Sequence, residues 1–164
     1  MREHNDYVNI VKDRLKRYNS YKILVGNIDN EIANIDSKLA GEAAPIAKYG
    51  DAPAGGGSDL NSTERAVETR LNLEMRRTRA LADKSEILAM CHQIDHAMLG
   101  LTEIERSLVT EFYFENKTWL EIAYAHNYAP DWARQKNAKA VKKLTEMIFG
   151  RRAILEQGRF LFIA

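Results

Sequence analysis

The 164-residue sequence contains a single cysteine, three prolines and no apolar run that approaches the length of a membrane span. A lone Cys91 excludes an intramolecular disulfide and fits a reducing compartment. A membrane-spanning helix needs about 20 mostly apolar residues in succession. The N-terminal stretch Met1–Asp6 also lacks the apolar core of a signal peptide. Together these absences predict a cytoplasmic protein.

The sequence also lacks long alternating runs of β-branched residues, while apolar residues recur at helical spacing along most of its length. With so few prolines to interrupt helices, this pattern predicts an all-α fold. The formal net charge is only +1. Bulk charge therefore gives no reason to expect a nucleic-acid partner, and any such indication has to come from local clustering.

The first part of the chain, residues 1–100, is predicted to be two long helices at about 5–39 and 62–99. In the first helix an apolar seam steps by three and four residues; it comprises Val25, Ile28, Ile32, Ile35 and Leu39. A break is expected at 18–21, with Ser20 capping a second segment. Residues 41–58 contain glycines and prolines that preclude a helix. We expect this connector to let the two helices pair antiparallel; the alternative is that the seam meets another chain in a homodimer.

Residues 101–150 carry the signature of a helix-turn-helix DNA-binding domain. Thr102 stands three residues before Glu105, and Thr118 three before Glu121, which is the spacing of a capping box. Pro130 fits the first position of a third helix. The turn at 126–129 separates a short helix from a longer one, in the proportion typical of this motif. The motif predicts an inward apolar face on each helix, and these faces comprise Ile104, Leu108, Val109, Phe112, Tyr113, Trp119, Ile122, Ala123, Ala133, Ala140, Val141, Leu144 and Ile148.

Positive charge is concentrated towards the C-terminal end of the chain, from the last helix of this motif onwards. Residues 129–164 contain eight Lys or Arg against three Asp or Glu, a net charge of +5, whereas residues 101–128 carry −3. Clustered cations are what contacts to DNA phosphates require. The helix that starts at Pro130 would enter the major groove with its first turns against base edges.

Candidate contacts to DNA follow from this placement. Arg134 is expected to contact guanine and Gln135 adenine. Asp131 is expected either to accept from cytosine or to complement the start of the helix through its charge. A second set would hold phosphates, which position the protein without specifying sequence; it comprises Lys117, Thr118, Lys136, Lys139, Lys142 and Lys143.

Other residue patterns in the sequence give weaker indications of function. The Gly55–Gly57 run is not followed by the Gly-Lys-Ser/Thr of a phosphate-binding loop. His92 and His96 are spaced to share a helix face and could bind zinc, but no third ligand is evident and we expect no metal site. No catalytic constellation or nucleotide fingerprint stands out, so we expect neither enzymatic activity nor a cofactor. The apolar tail at 151–164 is expected to dock on the body of the protein or on a partner.

The C-terminal segment resembles region 4 of bacterial sigma factors. The residues that carry the likeness are the Leu101–Arg106 and Thr118–Ala123 runs, Tyr113–Phe114, Tyr128 and Ala140–Leu144. With the Gly-rich connector and Arg76–Arg77, the whole layout resembles phage regulators of the ArpU/RinA type.

The resemblance implies a DNA-binding activator of phage or prophage late genes, which act in packaging and morphogenesis. Such a protein would work in the cytoplasm of a bacterial host cell, at a promoter or operator, with RNA polymerase as a possible partner. The alternative is a DNA-packaging protein like the phage small terminase subunit, which would share the helix-turn-helix and a helical oligomerisation region.

Overall fold

A computed structural model describes residues 2–42, 58–150 and 153 of the chain. Most of these residues are helical and none of them is in a strand, which confirms the all-α class. The elements are α1 (Arg2–Glu42), α2 (Ser58–Leu99), α3 (Glu103–Val109), a π-helical turn (Thr110–Phe114), α4 (Trp119–His126) and α5 (Pro130–Phe149). The prediction that residues 41–58 form a non-helical connector is wrong at its two ends, because Gly41 and Glu42 belong to α1 and Ser58 to α2. The rest of the predicted connector, 43–57, and the predicted apolar tail at 151–164, apart from residue 153, lie outside the described residues.

The first helix departs from the sequence prediction, because α1 continues without interruption through residues 18–21. Tyr18 explains the continuity: its side chain is 5% exposed, stacks on Phe114 with ring centroids 4.5 Å apart, and donates a hydrogen bond to Asp95. Tertiary packing thus overrides the local preference of Ser20 for a helix start. Both ends of α1 and the start of α2 lie a few residues beyond the predicted ones, as periodicity alone fixes helix ends poorly, whereas α2 ends at Leu99 as predicted.

The described residues fall into two compact units, one within Met1–Lys22 and Ala89–Ala164 and the other within Ile23–Leu88. The sequence-based division at residue 100 thus differs from the grouping in space. The C-terminal helices share a unit with the start of α1 and the end of α2.

In the Ile23–Leu88 unit, α1 and α2 run antiparallel. Asp29 pairs with Lys84 at 2.5 Å, and Asp36 pairs with Arg77 at 2.6 Å. The later residue of α1 thus pairs with the earlier residue of α2, as antiparallel helices require. Ile35 from the predicted seam is buried. Exposed ion pairs of this kind each contribute little stability. They do show that the two helices pair within one chain, as the Gly-rich connector predicted.

The other unit contains a core cluster with one residue from each of α3, α4 and α5, beside further buried residues of the same helices. Leu108, Ile122 and Ala133 form this core, and the rings of Phe112 and Trp119 pack against it, stacked with centroids 4.1 Å apart. The inward faces predicted for α4 and α5 are confirmed at these positions.

The predicted face of α3 is wrong at one position, because the side chain of Ile104 is 44% exposed. Its neighbour Glu105 points inward instead and is only 1% exposed. Consecutive helical residues lie about 100° apart around the axis. Burying Glu105 therefore turns Ile104 towards solvent, and the charged residue is tolerated because it is paired, as described below.

Candidate nucleic-acid interface

Both predicted capping boxes are present and set the starts of α3 and α4. At α4, the Glu121 N–H donates to the Thr118 hydroxyl at 3.3 Å, and the Thr118 N–H donates to the Glu121 carboxylate at 2.7 Å. Thr102 and Glu105 make the same reciprocal pair, at 3.4 and 3.2 Å. The N–H of Thr118, followed by its hydroxyl, lowers the pKa of Glu121. The local sequence thus fixes where the two helices begin.

A sharp turn joins α4 to α5. Asn127 adopts the left-handed conformation, with φ 55° and ψ 40°, which Asn tolerates better than most residues. The N–H of Tyr128 donates to the carbonyl of Ala123 at 2.9 Å, the outer bond of a Schellman motif. Pro130 then occupies the first turn of α5, as predicted. Three residues therefore separate the two helices, in agreement with the predicted turn.

The helix α5 is held against the core along one face and is open along the other. Its inward residues are almost completely buried; they comprise Ala133, Ala140, Val141 and Leu144. The opposite face is exposed and mostly polar, although Trp132 is also exposed there; its polar residues include Arg134, Gln135, Lys139, Lys142 and Lys143. This division gives the exposed face a fixed orientation on the unit.

The candidate base-contacting residues lie on the first turns of this exposed face. The side chains of Asp131 and Arg134 are 86% and 59% exposed, and they form a loose ion pair at 3.6 Å. Gln135 is exposed beside them. The structure therefore brings Asp131, Arg134 and Gln135 together at the start of α5, where the sequence predicted them. A contact to DNA would compete only with a weak, solvent-screened pair.

Two of the candidate phosphate-contacting lysines are instead directed at a buried carboxylate. Lys143 Nζ donates to both oxygens of Glu105, at 2.8 and 3.0 Å, and Lys136 Nζ lies 3.6 Å from one of them. Burial alone would raise the pKa of Glu105, but hydrogen bonds from Lys143 and Thr102 outweigh it and lower that pKa to about 2. Lys143 and Lys136 are thus engaged within the protein.

Lys117 is engaged in a similar way. Its ammonium lies 3.1 Å from Glu111 and 2.8 Å from Glu115. Glu111 is buried and also accepts from Ser107 and contacts His126 Nε2 at 2.5 Å. Burial opposes ionisation of Glu111, but these hydrogen bonds prevail and lower its pKa. This cluster ties the π-helical turn to the end of α4.

Lys139 and Lys142 differ from the other candidate lysines. Both are exposed on α5, and within residues 2–42 and 58–150 neither takes part in an ion pair. Thr118 is exposed, although its hydroxyl is engaged with Glu121 at 2.8 Å. Of the six predicted phosphate contacts, Lys139 and Lys142 are therefore the ones with charge available to a ligand.

The structure adds Lys16, a cation that the sequence-based prediction omitted. Lys16 lies on α1 and lines a groove of about 690 Å³ together with residues of the π-helical turn, α4 and Arg134 of α5. A signal for it exists in the sequence, where Lys12, Arg14, Lys16 and Arg17 fall within six residues. Its place beside α5 could not be inferred, because that depends on how α1 packs.

The histidine pair on α2 shows no further ligand. His92 and His96 are exposed and line an open groove with Met147. In the part of the chain that the structure describes, no three His, Cys, Asp or Glu side chains converge as metal ligands. Among the same residues, no helix combines the length and the apolar character that crossing a membrane requires.

Comparison with family models, curated proteins and solved structures found no match to this chain.

Proposed function

We propose that this protein is a sequence-specific regulator of transcription that binds double-stranded DNA through α5. The observation that carries the proposal is the division of α5 into a face buried in the core and a polar face presented to solvent. A recognition helix needs both properties: a fixed orientation and a free row of donors.

The charges on the exposed face fit this role. Lys139 and Lys142 hold no ion pair with any described residue, so their ammonium groups can displace counterions from DNA phosphates. These contacts set affinity and register. They lie farther along α5 than Arg134 and Gln135, so phosphate contacts and base contacts fall on successive parts of one helix.

The first turns of α5 supply the groups that read bases. Arg134 can donate two parallel hydrogen bonds to guanine, and Gln135 can donate to and accept from adenine. Asp131 accepts from cytosine, or it favours the helix start through its charge. The narrower proposal, an activator of phage late genes that contacts RNA polymerase, follows from the likeness of the whole layout to phage regulators of the ArpU/RinA type and of this segment to sigma region 4.

A selection from a random library of DNA duplexes tests the proposal. The full-length chain is incubated with the library at about 0.1 M salt, bound duplexes are amplified, and the enriched sequences are read. We expect one motif to emerge and to bind more tightly than unselected DNA. Failure to retain any duplex, even at lower salt, would refute DNA binding. Retention without an enriched motif would refute sequence-specific regulation.

Light scattering on the same sample separates the proposal from the packaging alternative. We expect a monomer or dimer for a regulator. A large closed ring would favour a DNA-packaging protein like the small terminase subunit.

A further inference from the structure

The geometry points to a second DNA contact outside the helix-turn-helix segment. We propose that Lys16 of α1 binds the phosphodiester backbone of the same duplex, within the groove that it shares with Arg134. This inference rests on the proposed function, since it extends the surface that would bind DNA. It gives α1 a role in positioning DNA, in addition to its pairing with α2.

The lining of the groove favours an anion. Its charged residues are Lys16, Lys117 and Arg134, and no carboxylate belongs to its described lining. A neighbouring groove on the same unit differs, because Glu103, Glu111 and Glu115 contribute to it. Charge complementarity therefore selects the Lys16 groove for a phosphate.

The three cations of the groove are not equally available. Lys117 is shared between two carboxylates, as described above. Arg134 makes an exposed pair with Asp131 at 3.6 Å, which costs little to break. Lys16 is exposed and has no ion pair with any residue in the described ranges. Lys16 is therefore the cation that a phosphate would meet with least competition.

The walls of the groove are rigid. Phe112 stacks on Trp119 at 4.1 Å and meets Tyr113 edge-on at 4.9 Å. All three rings line the groove, and Tyr113 is buried. A wall that is fixed by core packing loses little entropy when a ligand binds. It also offers apolar area to the deoxyribose that links neighbouring phosphates.

Position selects the DNA backbone as the occupant. Arg134 belongs both to this groove and to the first turns of α5, so a duplex read by α5 passes beside the groove. Phosphates that flank the bases in contact then lie near Thr118 and Lys16. Contacts of this kind fix orientation without reading sequence.

Replacing Lys16 and a matched lysine tests the inference. Lys38 also lies exposed on α1, without an ion pair to a described residue, and belongs to the other compact unit. Binding of Lys16→Ala, Lys38→Ala and wild type to the selected duplex is measured by fluorescence anisotropy between about 50 and 200 mM salt. For Lys16→Ala we expect roughly 3- to 10-fold weaker binding at low salt and a salt slope smaller by about 1. We expect Lys38→Ala to bind as wild type does.

The outcomes separate the inference from the proposed function. If the wild type binds a selected motif but Lys16→Ala matches it in affinity and slope, the inference fails while the function stands. Equal losses in both variants would also overturn it, because charge anywhere on α1 would then suffice. A wild type that binds no duplex refutes the function and the inference with it. Polyglutamate is tested as a second ligand. If Lys16→Ala binds polyglutamate more weakly than the wild type does but binds the duplex equally well, the groove takes an acidic peptide and the inference is overturned.

Discussion

Lys143 donates from one ammonium to both carboxylate oxygens of Glu105, which is 1% exposed and 38 residues earlier in the chain. The pair joins α5 to α3 at the end of a capping box, since Glu105 also accepts from the Thr102 N–H. An ionised group so deeply buried is tolerated only when its oxygens are fully paired. The position of α5 therefore depends on this contact.

Lys143→Met is expected to destabilise the fold by about 2–3 kcal/mol, because it leaves a buried carboxylate short of donors. The nearby Lys136 ammonium, 3.6 Å away, replaces part of the loss. Urea unfolding followed by circular dichroism measures the change. Lys142→Met is the matched control on the preceding residue, and it should change stability by less than about 0.5 kcal/mol. Equal effects of the two substitutions would contradict a structural role for the Lys143 pair.

The lowered pKa of Glu105 also predicts how the stability of the fold depends on pH. Its pKa is about 2 in the fold against 4.5 in its reference state, so the folded protein favours the ionised form. The resulting stabilisation is fully present above about pH 4.5 and is lost as the pH falls through 2. It amounts to at most about 3 kcal/mol.

Glu105→Gln isolates this contribution. Glu111 has a lowered pKa as well and remains in the variant, so its effect cancels in the comparison. Urea unfolding at a series of pH values should show the wild type more stable near neutrality, with the two proteins converging towards pH 2. Parallel curves over the whole range would show that Glu105 is not the responsible group.

Local signals predicted much of this fold because their causes lie within a few residues. The Thr118–Glu121 box spans one helical turn, and Pro130 needs only its own ring to start α5. Asn127 ends α4 through a backbone conformation that its own side chain tolerates. The inward positions of α5 followed from spacing alone, since a helix on a core must bury one stripe.

The features that sequence did not predict depend on contacts between distant residues. Nothing in the sequence around Lys143 shows that Glu105 will meet it, so a lysine on an exposed face was predicted to bind phosphate. The continuity of α1 through Tyr18 depends on Asp95 and Phe114. The place of Lys16 beside Arg134 likewise requires knowing how α1 packs.

The two capping boxes provide a matched pair of substitutions. Thr102→Ala and Thr118→Ala should each lower stability by about 1 kcal/mol, because each removes one hydroxyl acceptor from a helix start. Only Thr118 lies in the Lys16 groove. We therefore expect Thr118→Ala alone to weaken binding to the selected duplex, measured by anisotropy at a temperature where both variants are folded. A similar loss of affinity in both would attribute the effect to stability.

Arg134 and Lys142 should differ in the kind of affinity that they provide. Arg134→Ala is expected to cost about 1–3 kcal/mol on the selected motif and much less on random duplex, because it removes hydrogen bonds to a base. Lys142→Ala should weaken both duplexes alike and lower the salt slope by about 1, as loss of one phosphate contact does. Competition anisotropy with the two duplexes, across a range of salt, measures both effects. Equal loss on motif and random DNA for Arg134→Ala would remove its base-reading role, and Arg134 would then count with Lys142 among the phosphate contacts.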